Sequence, residues 1–255
     1  MRFGACVGME FDRIKYVKEY GYDYVESCFH ALTNATEEEY QTLCKEIEKY
    51  DINCEVVNCF LPGELPICGD SVDYDALKAF IEKGFQRGKK IGLKKVVFGS
   101  GGARKVPDGY DFEKAVRQII YFLKEVLAPI CEKYEVTVVI EPLQLCDSNI
   151  INTVKEGVMF AATAQCQYVQ GLSDLFHMEV MHDKVDNIKL LKDCIKHAHI
   201  AEPKKRVYPL SKDEYDYKHY LDVLEEAGCD TCSIEADTLD FANDAKIAID
   251  MLRSL

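Results

Sequence analysis

The chain has 255 residues, 48% hydrophobic and 29% charged, with 31 basic residues against 44 acidic ones and a formal net charge of −13. A chain of this length buries roughly three quarters of its unfolded surface without help from disulfides or metals, and the composition excludes a disordered or fibrous protein. The negative balance repels phosphate backbones and anionic membranes, no apolar run approaches the ~18 residues of a membrane span, and the N-terminal apolar stretch is too short for a signal peptide.

The reading is therefore a cytoplasmic protein with no nucleic-acid and no membrane partner, Lys204, Lys205 and Arg206 being a local basic run against that background. The twelve cysteines are too dilute for a disulfide scaffold. Cys54, Cys59, Cys166 and Cys194 sit in apolar runs where a thiol is expected to pack as a small hydrophobe. Cys229 and Cys232 form a C-x-x-C that enters a strand, whereas a redox pair would open a helix.

In chain order, short β-branched runs alternate with amphipathic helical segments. Strands are predicted at 3–7, 24–28, 53–59, 95–99, 136–141, 168–174, 196–201 and 231–236, with helices between them at 37–50, 74–91, 112–134, 154–164 and 212–227. In the 112–134 segment Val116, Ile119, Ile120, Leu123, Val126, Leu127 and Ile130 recur at helical spacing. Thr153 is the expected cap of the helix that follows it, and Asn34 or Thr36 that of the helix opening at Glu37.

Eight strand–helix units in about 250 residues is the arithmetic of a (β/α)8 TIM barrel, an α/β fold. No Pro/Gly/Ser-rich linker divides the chain, so residues 1–255 are read as a single TIM-barrel domain. The longer connections, 60–73, 100–110, 142–152 and 202–211, follow strands and so belong to the C-terminal face, where such barrels carry their chemistry.

The last four predicted strands end at or near a metal-type ligand: Glu141, Asp174, His199 and Glu235. Two residues back along each strand lie Val139, Leu172, His197 and Ser233, so period-2 alternation points all four ligands inward. Neighbouring strands bring them together, and inward carboxylates of like charge require a cation. Three carboxylates and an imidazole suit one divalent ion, manganese first and magnesium, cobalt or zinc as alternatives. Glu26, near the end of the second strand, and Asp147 are further candidate pocket carboxylates for substrate binding, and Asp147 is also expected to support Glu141 by hydrogen bonding. His197 is read as a satisfied barrel histidine. Ser100-Gly101-Gly102 has the look of half a phosphate cradle, without the Lys-Ser/Thr that completes a P-loop.

The motifs Ile-Glu-Pro-Leu at 140–143, with Asn149 and Asn152 downstream, Asp-Leu-Phe-His-Met at 174–178, His-Ala-His-Ile-Ala at 197–201 and Ser-Ile-Glu-Ala at 233–236 occur in this order, each on its strand. With Val-Val-Phe-Gly-Ser-Gly-Gly-Ala-Arg at 96–104, the whole chain resembles the sugar phosphate isomerase/epimerase group of xylose isomerase-like barrels, which includes D-tagatose/D-psicose 3-epimerases.

The resemblance implies a metal-dependent isomerase or epimerase of a small ketose or related sugar. Glu141, Asp174, His199 and Glu235 would bind the ion, and Glu141 and Glu235 would also act as the acid/base pair across an enediolate. It further implies substrate contacts from His177 and from Arg206, with Lys205 as the alternative in that loop, and association as a homodimer or homotetramer. The chain departs from the pattern at Gln144 and Leu145, where the family often has Asn-Arg. An inosose-type dehydratase, an endonuclease IV-like repair enzyme and a non-catalytic sugar-acid-binding barrel are the competing readings. Six histidines and the net charge weigh against the endonuclease.

Overall fold

All eight predicted strands form, and they close in chain order into a parallel barrel. The computed structural model describes residues 1–255. The strands are β1 (Arg2–Gly8), β2 (Tyr24–Cys28), β3 (Val56–Asn58), β4 (Lys95–Phe98), β5 (Thr137–Ile140), β6 (Val169–Asp174), β7 (Ile195–Ile200) and β8 (Thr231–Ile234). The fold is a TIM barrel, and no helix in it is long and apolar enough to cross a membrane.

The barrel interior is layered. Tyr24, Val56, Val97, Val139 and Leu172 form a small apolar layer of their own, separate from the larger core between the strands and the surrounding helices. Gly4 belongs to this layer by default: a Cβ there would collide with the Tyr24 ring, so glycine on β1 leaves the space that a tyrosine on β2 fills. The next layer toward the C-terminal face is polar. Leu172 stands beside His197, Asp174 beside His199, and His199 beside Ser233 in the strand registers.

The helices depart from expectation where capping or proline intervenes. The 112–134 segment is not one helix: α-helix Phe112–Tyr121 passes through a π turn at Phe122–Leu127 before resuming at Ala128–Tyr134. Pro129 in the first turn of the last piece has no N–H for the i−4 carbonyl, and a π turn absorbs the register change. The helix expected from 212 begins at Tyr217, because the Asp216 carboxylate accepts from His219 N and caps it there. Thr36 and Thr153 both make full capping boxes, whereas Asn34 ends the short helix before Thr36.

Of the cysteines expected to pack as hydrophobes, Cys54 and Cys166 are buried and Cys194 half-buried. Cys59 is exposed instead, because the backbone after β3 turns left-handed at that residue (φ 50°) and carries it onto the C-terminal rim. Cys229 and Cys232 are both buried thiols on the approach to and within β8.

Candidate metal centre

The four strand-end side chains meet. Glu141, Asp174, His199 and Glu235 each offer one ligand atom, and these atoms lie within 4.8 Å of one another. His199 Nδ1 is the focus, 3.1 Å from Glu141 Oε1, 3.2 Å from Glu235 Oε2 and 3.6 Å from Asp174 Oδ2.

Local chemistry places each group. Glu141 precedes Pro142, which holds it extended, and its N–H donates to Phe98 O on β4. Gly99 makes room for it, since a Cβ there would collide with Glu141 Oε2. Asp174 ends β6 and caps the helix Leu175–Val180: Oδ1 accepts from His177 N at 2.8 Å, while Oδ2 faces the cluster. Glu235 extends from β8, its N–H on Ile200 O.

The opposite edge of His199 is as well defined. Nε2 lies 3.0 Å from Glu26 Oε1, and Glu26 Oε2 lies 3.3 Å from His197 Nε2. His197 in turn places Nδ1 3.0 Å from Thr231 Oγ1, so it is a satisfied barrel histidine. Glu26 is completely buried and does not line the cavity, which corrects its reading as a substrate-binding carboxylate. Its strand position puts it beneath His199, where it orients the imidazole. Cys6 also approaches Glu26 and His199, with burial and the Glu26 charge pushing its thiol well up.

The electrostatics are those of a site built for a cation. Burial would lower His199, yet Glu235, Glu26, Asp174 and Glu141 around it hold its imidazole well above the usual histidine range. Burial raises Glu141, whereas in Glu235 the charges of His199 and Arg206 outweigh burial and bring it down. Asp174 is likewise held below the ordinary carboxylate range, His177, His199 and Arg206 prevailing over its burial. A proton on His199 here does what a divalent ion would do better: it balances three converging carboxylates. The oxygen-rich donor set, focused on one point, fits such an ion.

Above the cluster opens a cavity of about 430 Å³, lined among others by Asn58, Cys59, Gly101, Leu143, His177 and Arg206. This is within the range of small-molecule sites. Arg206, not Lys205, is the loop residue that reaches it. The Glu202 carboxylate accepts from Lys204 N and Lys205 N, and the chain turns left-handed at Arg206 (φ 57°). Arg206 then lies over the Phe176 ring and donates from Nη2 to Glu235 Oε2 at 2.7 Å.

His177 is buried, with Nδ1 accepting from Gln144 N at 3.2 Å. Asp147 sits at the rim and binds the Gln144 side chain at 3.0 Å rather than Glu141; its loop turns away from β5, which corrects the expected support. Ser100-Gly101-Gly102 also lines the cavity, but the Ser100 hydroxyl is already used by Leu61 N. His219, unassigned from sequence, pairs with Asp186 on the outside, and His182 lies in a surface turn.

Asn58 had no place in the sequence reading, yet its Nδ2 donates to Glu235 Oε1 at 3.0 Å. It ends β3 as the acidic residues end the later strands, so the same strand-end rule applied to the first half of the barrel would have found it.

The comparisons agree with this architecture. A family model for the xylose isomerase-like TIM barrel matches residues 14–255, and the chain belongs to that family. Among solved structures, a D-psicose 3-epimerase from Clostridium cellulolyticum H10, solved with D-tagatose, is 18% identical with a TM-score of 0.85, covering 100% of this chain and 99% of its own. A 3-keto-D-glucoside 4-epimerase from E. coli is 18% identical with a TM-score of 0.81, covering 100% of both chains. A family 2 AP endonuclease from Brucella melitensis is 18% identical with a TM-score of 0.80, covering 95% and 96%. At such identities the likeness is one of fold. No curated protein matches by sequence search.

Proposed function

We propose that this protein is an isomerase or epimerase of a small ketose or related sugar, dependent on one divalent ion, with manganese the favoured metal. Glu141, Asp174, His199 and Glu235 would hold the ion. When bound, it would supply the positive charge that stabilises the enediolate left when a proton is removed next to a carbonyl.

The observation that carries the reading is the pair Glu141 and Glu235, whose oxygens flank the same His199 nitrogen from two different strands at 3.1 and 3.2 Å. Two opposed carboxylates let one remove a proton at the reacting carbon while the other delivers one to the opposite face or to the neighbouring carbon. Arg206 and Asn58 each engage one oxygen of Glu235 and so fix its orientation.

His177, at the cavity wall, is placed to hydrogen-bond a sugar hydroxyl. Arg206 is the one guanidinium or ammonium group among the lining residues and is committed to Glu235, which favours an uncharged sugar over a phosphorylated one. The epimerase names carried by two of the similar structures support the same class.

The test is solvent exchange. Metal-loaded protein incubated in D2O with a panel of free ketoses is expected to place deuterium on the carbon next to the carbonyl, read by NMR. Glu141→Gln and Glu235→Gln should each slow this by about 10²–10⁴-fold. Metal-loaded wild type that exchanges no sugar of the panel would favour a sugar-acid-binding barrel instead.

A further inference from the structure

At the rim of the same cavity, the ends of β2 and β3 bring two thiols together. Cys28, the last residue of β2, stands in register with Asn58, the last of β3, and Cys59 follows directly. Cys59 lies one residue past that register, and its thiol is within hydrogen-bond reach of the Cys28 thiol.

His30 binds both ends: Nδ1 is 3.6 Å from Cys28 Sγ, and its backbone N–H donates to Cys59 O at 3.2 Å. The Cys59 side is exposed and lines the cavity, and Cys28 is half-buried beside it.

The two sulfurs are chemically unlike. The Cys59 thiol beside it, helped by the Ala31 amide and by His30, outweighs burial and brings Cys28 down to about 6. Cys59 goes the other way, pushed up by the Cys28 thiol beside it. The contact between the two thiols thus favours loss of one proton from the pair, which supplies the thiolate that exchange chemistry requires. The two other neighbouring pairs, Cys131 with Cys166 and Cys229 with Cys232, are buried, and burial raises all four of their thiols.

We propose that Cys28 and Cys59 form a reversible dithiol–disulfide couple at the mouth of the cavity, oxidised by hydroperoxides. Cys28 thiolate attacks a peroxide oxygen and breaks the O–O bond, giving Cys28 sulfenic acid and a hydroxide or alkoxide leaving group that takes a proton from solvent to become water or an alcohol. Cys59 sulfur then attacks the sulfenyl sulfur, losing its proton as water leaves and the S–S bond forms. Two thiols are oxidised by two electrons in all, and one peroxide is reduced. The new bond would tie β2 to β3 at the residue next to Asn58, and so bear on the Asn58–Glu235 hydrogen bond.

The test needs no substrate. Reduced full-length protein is treated with stoichiometric hydrogen peroxide, blocked with N-ethylmaleimide, digested without reductant and read by mass spectrometry. The expected product is a Cys28–Cys59 linked peptide, two hydrogens lighter than the dithiol form and reversed by dithiothreitol. It should form before the exposed Cys146 is modified.

Cys59→Ser should leave a sulfenic acid on Cys28 that dimedone traps, and Cys28→Ser should slow oxidation of Cys59 by about tenfold. Wild type in which both residues remain fully alkylated after peroxide overturns the proposal. So does a linkage of either residue to a different cysteine.

Discussion

Glu26 Oε1 lies 3.0 Å from Nε2 of His199, on the far side of the ring from the three carboxylates that converge on Nδ1. A neutral His199 that donates its Nε2 proton to Glu26 presents the Nδ1 lone pair to an ion, so Glu26 selects both the tautomer and the angle of the ring. Glu26→Gln is expected to weaken divalent-metal affinity by about 10–100-fold while leaving the circular dichroism spectrum intact, as read by isothermal titration with Mn²⁺. Unchanged affinity would mean that Glu26 only fills space beneath the site.

The metal-free protein should lose stability on both sides of neutrality, for different reasons. His199 is raised in the folded state, so its contribution is fully present below its unfolded value near 6.5 and lost as pH rises through the higher folded value. His197 is lowered to about 4 by burial, so its contribution is present above about 6.5 and lost as pH falls from there to about 4. Glu26 and Asp174, held below the carboxylate range, give way only in stronger acid.

Thermal melts of stripped protein should therefore show Tm falling in mild acid and again in alkali, and Mn²⁺ should restore most at the alkaline end, where no proton competes for His199. A Tm independent of pH on the alkaline side, or a metal effect that shrinks there, would contradict the assigned environment of His199.

Gly99 has a steric duty toward Glu141. Because a Cβ would collide with Glu141 Oε2, Gly99→Ala is expected to displace that carboxylate. The outcome should be a loss of deuterium exchange of about 10²-fold, as a 1 Å misplacement costs elsewhere, with unfolding free energy lowered by about 1–3 kcal/mol from overpacking. Exchange at the wild-type rate in this variant would show that Glu141 is not held where its hydrogen bonds indicate.

Arg206 and Asn58 are expected to act through Glu235. Arg206→Ala removes a charge-assisted hydrogen bond and the cation that lowers Glu235, so the exchange rate should fall and its acid limb move to higher pH. Asn58→Ala removes a hydrogen bond from an uncharged donor and should lower the rate while moving that limb in the same direction but less. Profiles of exchange rate against pH for the two variants separate these effects; coincident profiles would contradict them.

The acidic cluster was legible because each member falls at or near the end of one of four consecutive strands, and period 2 with barrel closure then does the rest. What escaped depends on depth and on distant pairings. Glu26 reads from sequence as one more strand-end acid; only the closed barrel, with β2 facing β7 across its interior, shows it under His199. Asp147 is close to Glu141 in sequence but turns outward to Gln144, a loop conformation that no periodicity encodes. Cys59 has an apolar neighbourhood in sequence and a left-handed backbone in the fold, and the second decides its exposure. Pro129 was visible, but an unbroken apolar stripe masked the π turn that accommodates it.

The most direct test of the account is metal stoichiometry. Stripped wild type and Asp174→Asn would be loaded with Mn²⁺, desalted and assayed by elemental analysis, Asp174 being the cluster carboxylate with no part in proton transfer. The account predicts about one Mn²⁺ per wild-type chain and a large loss in Asp174→Asn. Wild type that retains no divalent metal, or a variant that retains as much as wild type, would contradict it.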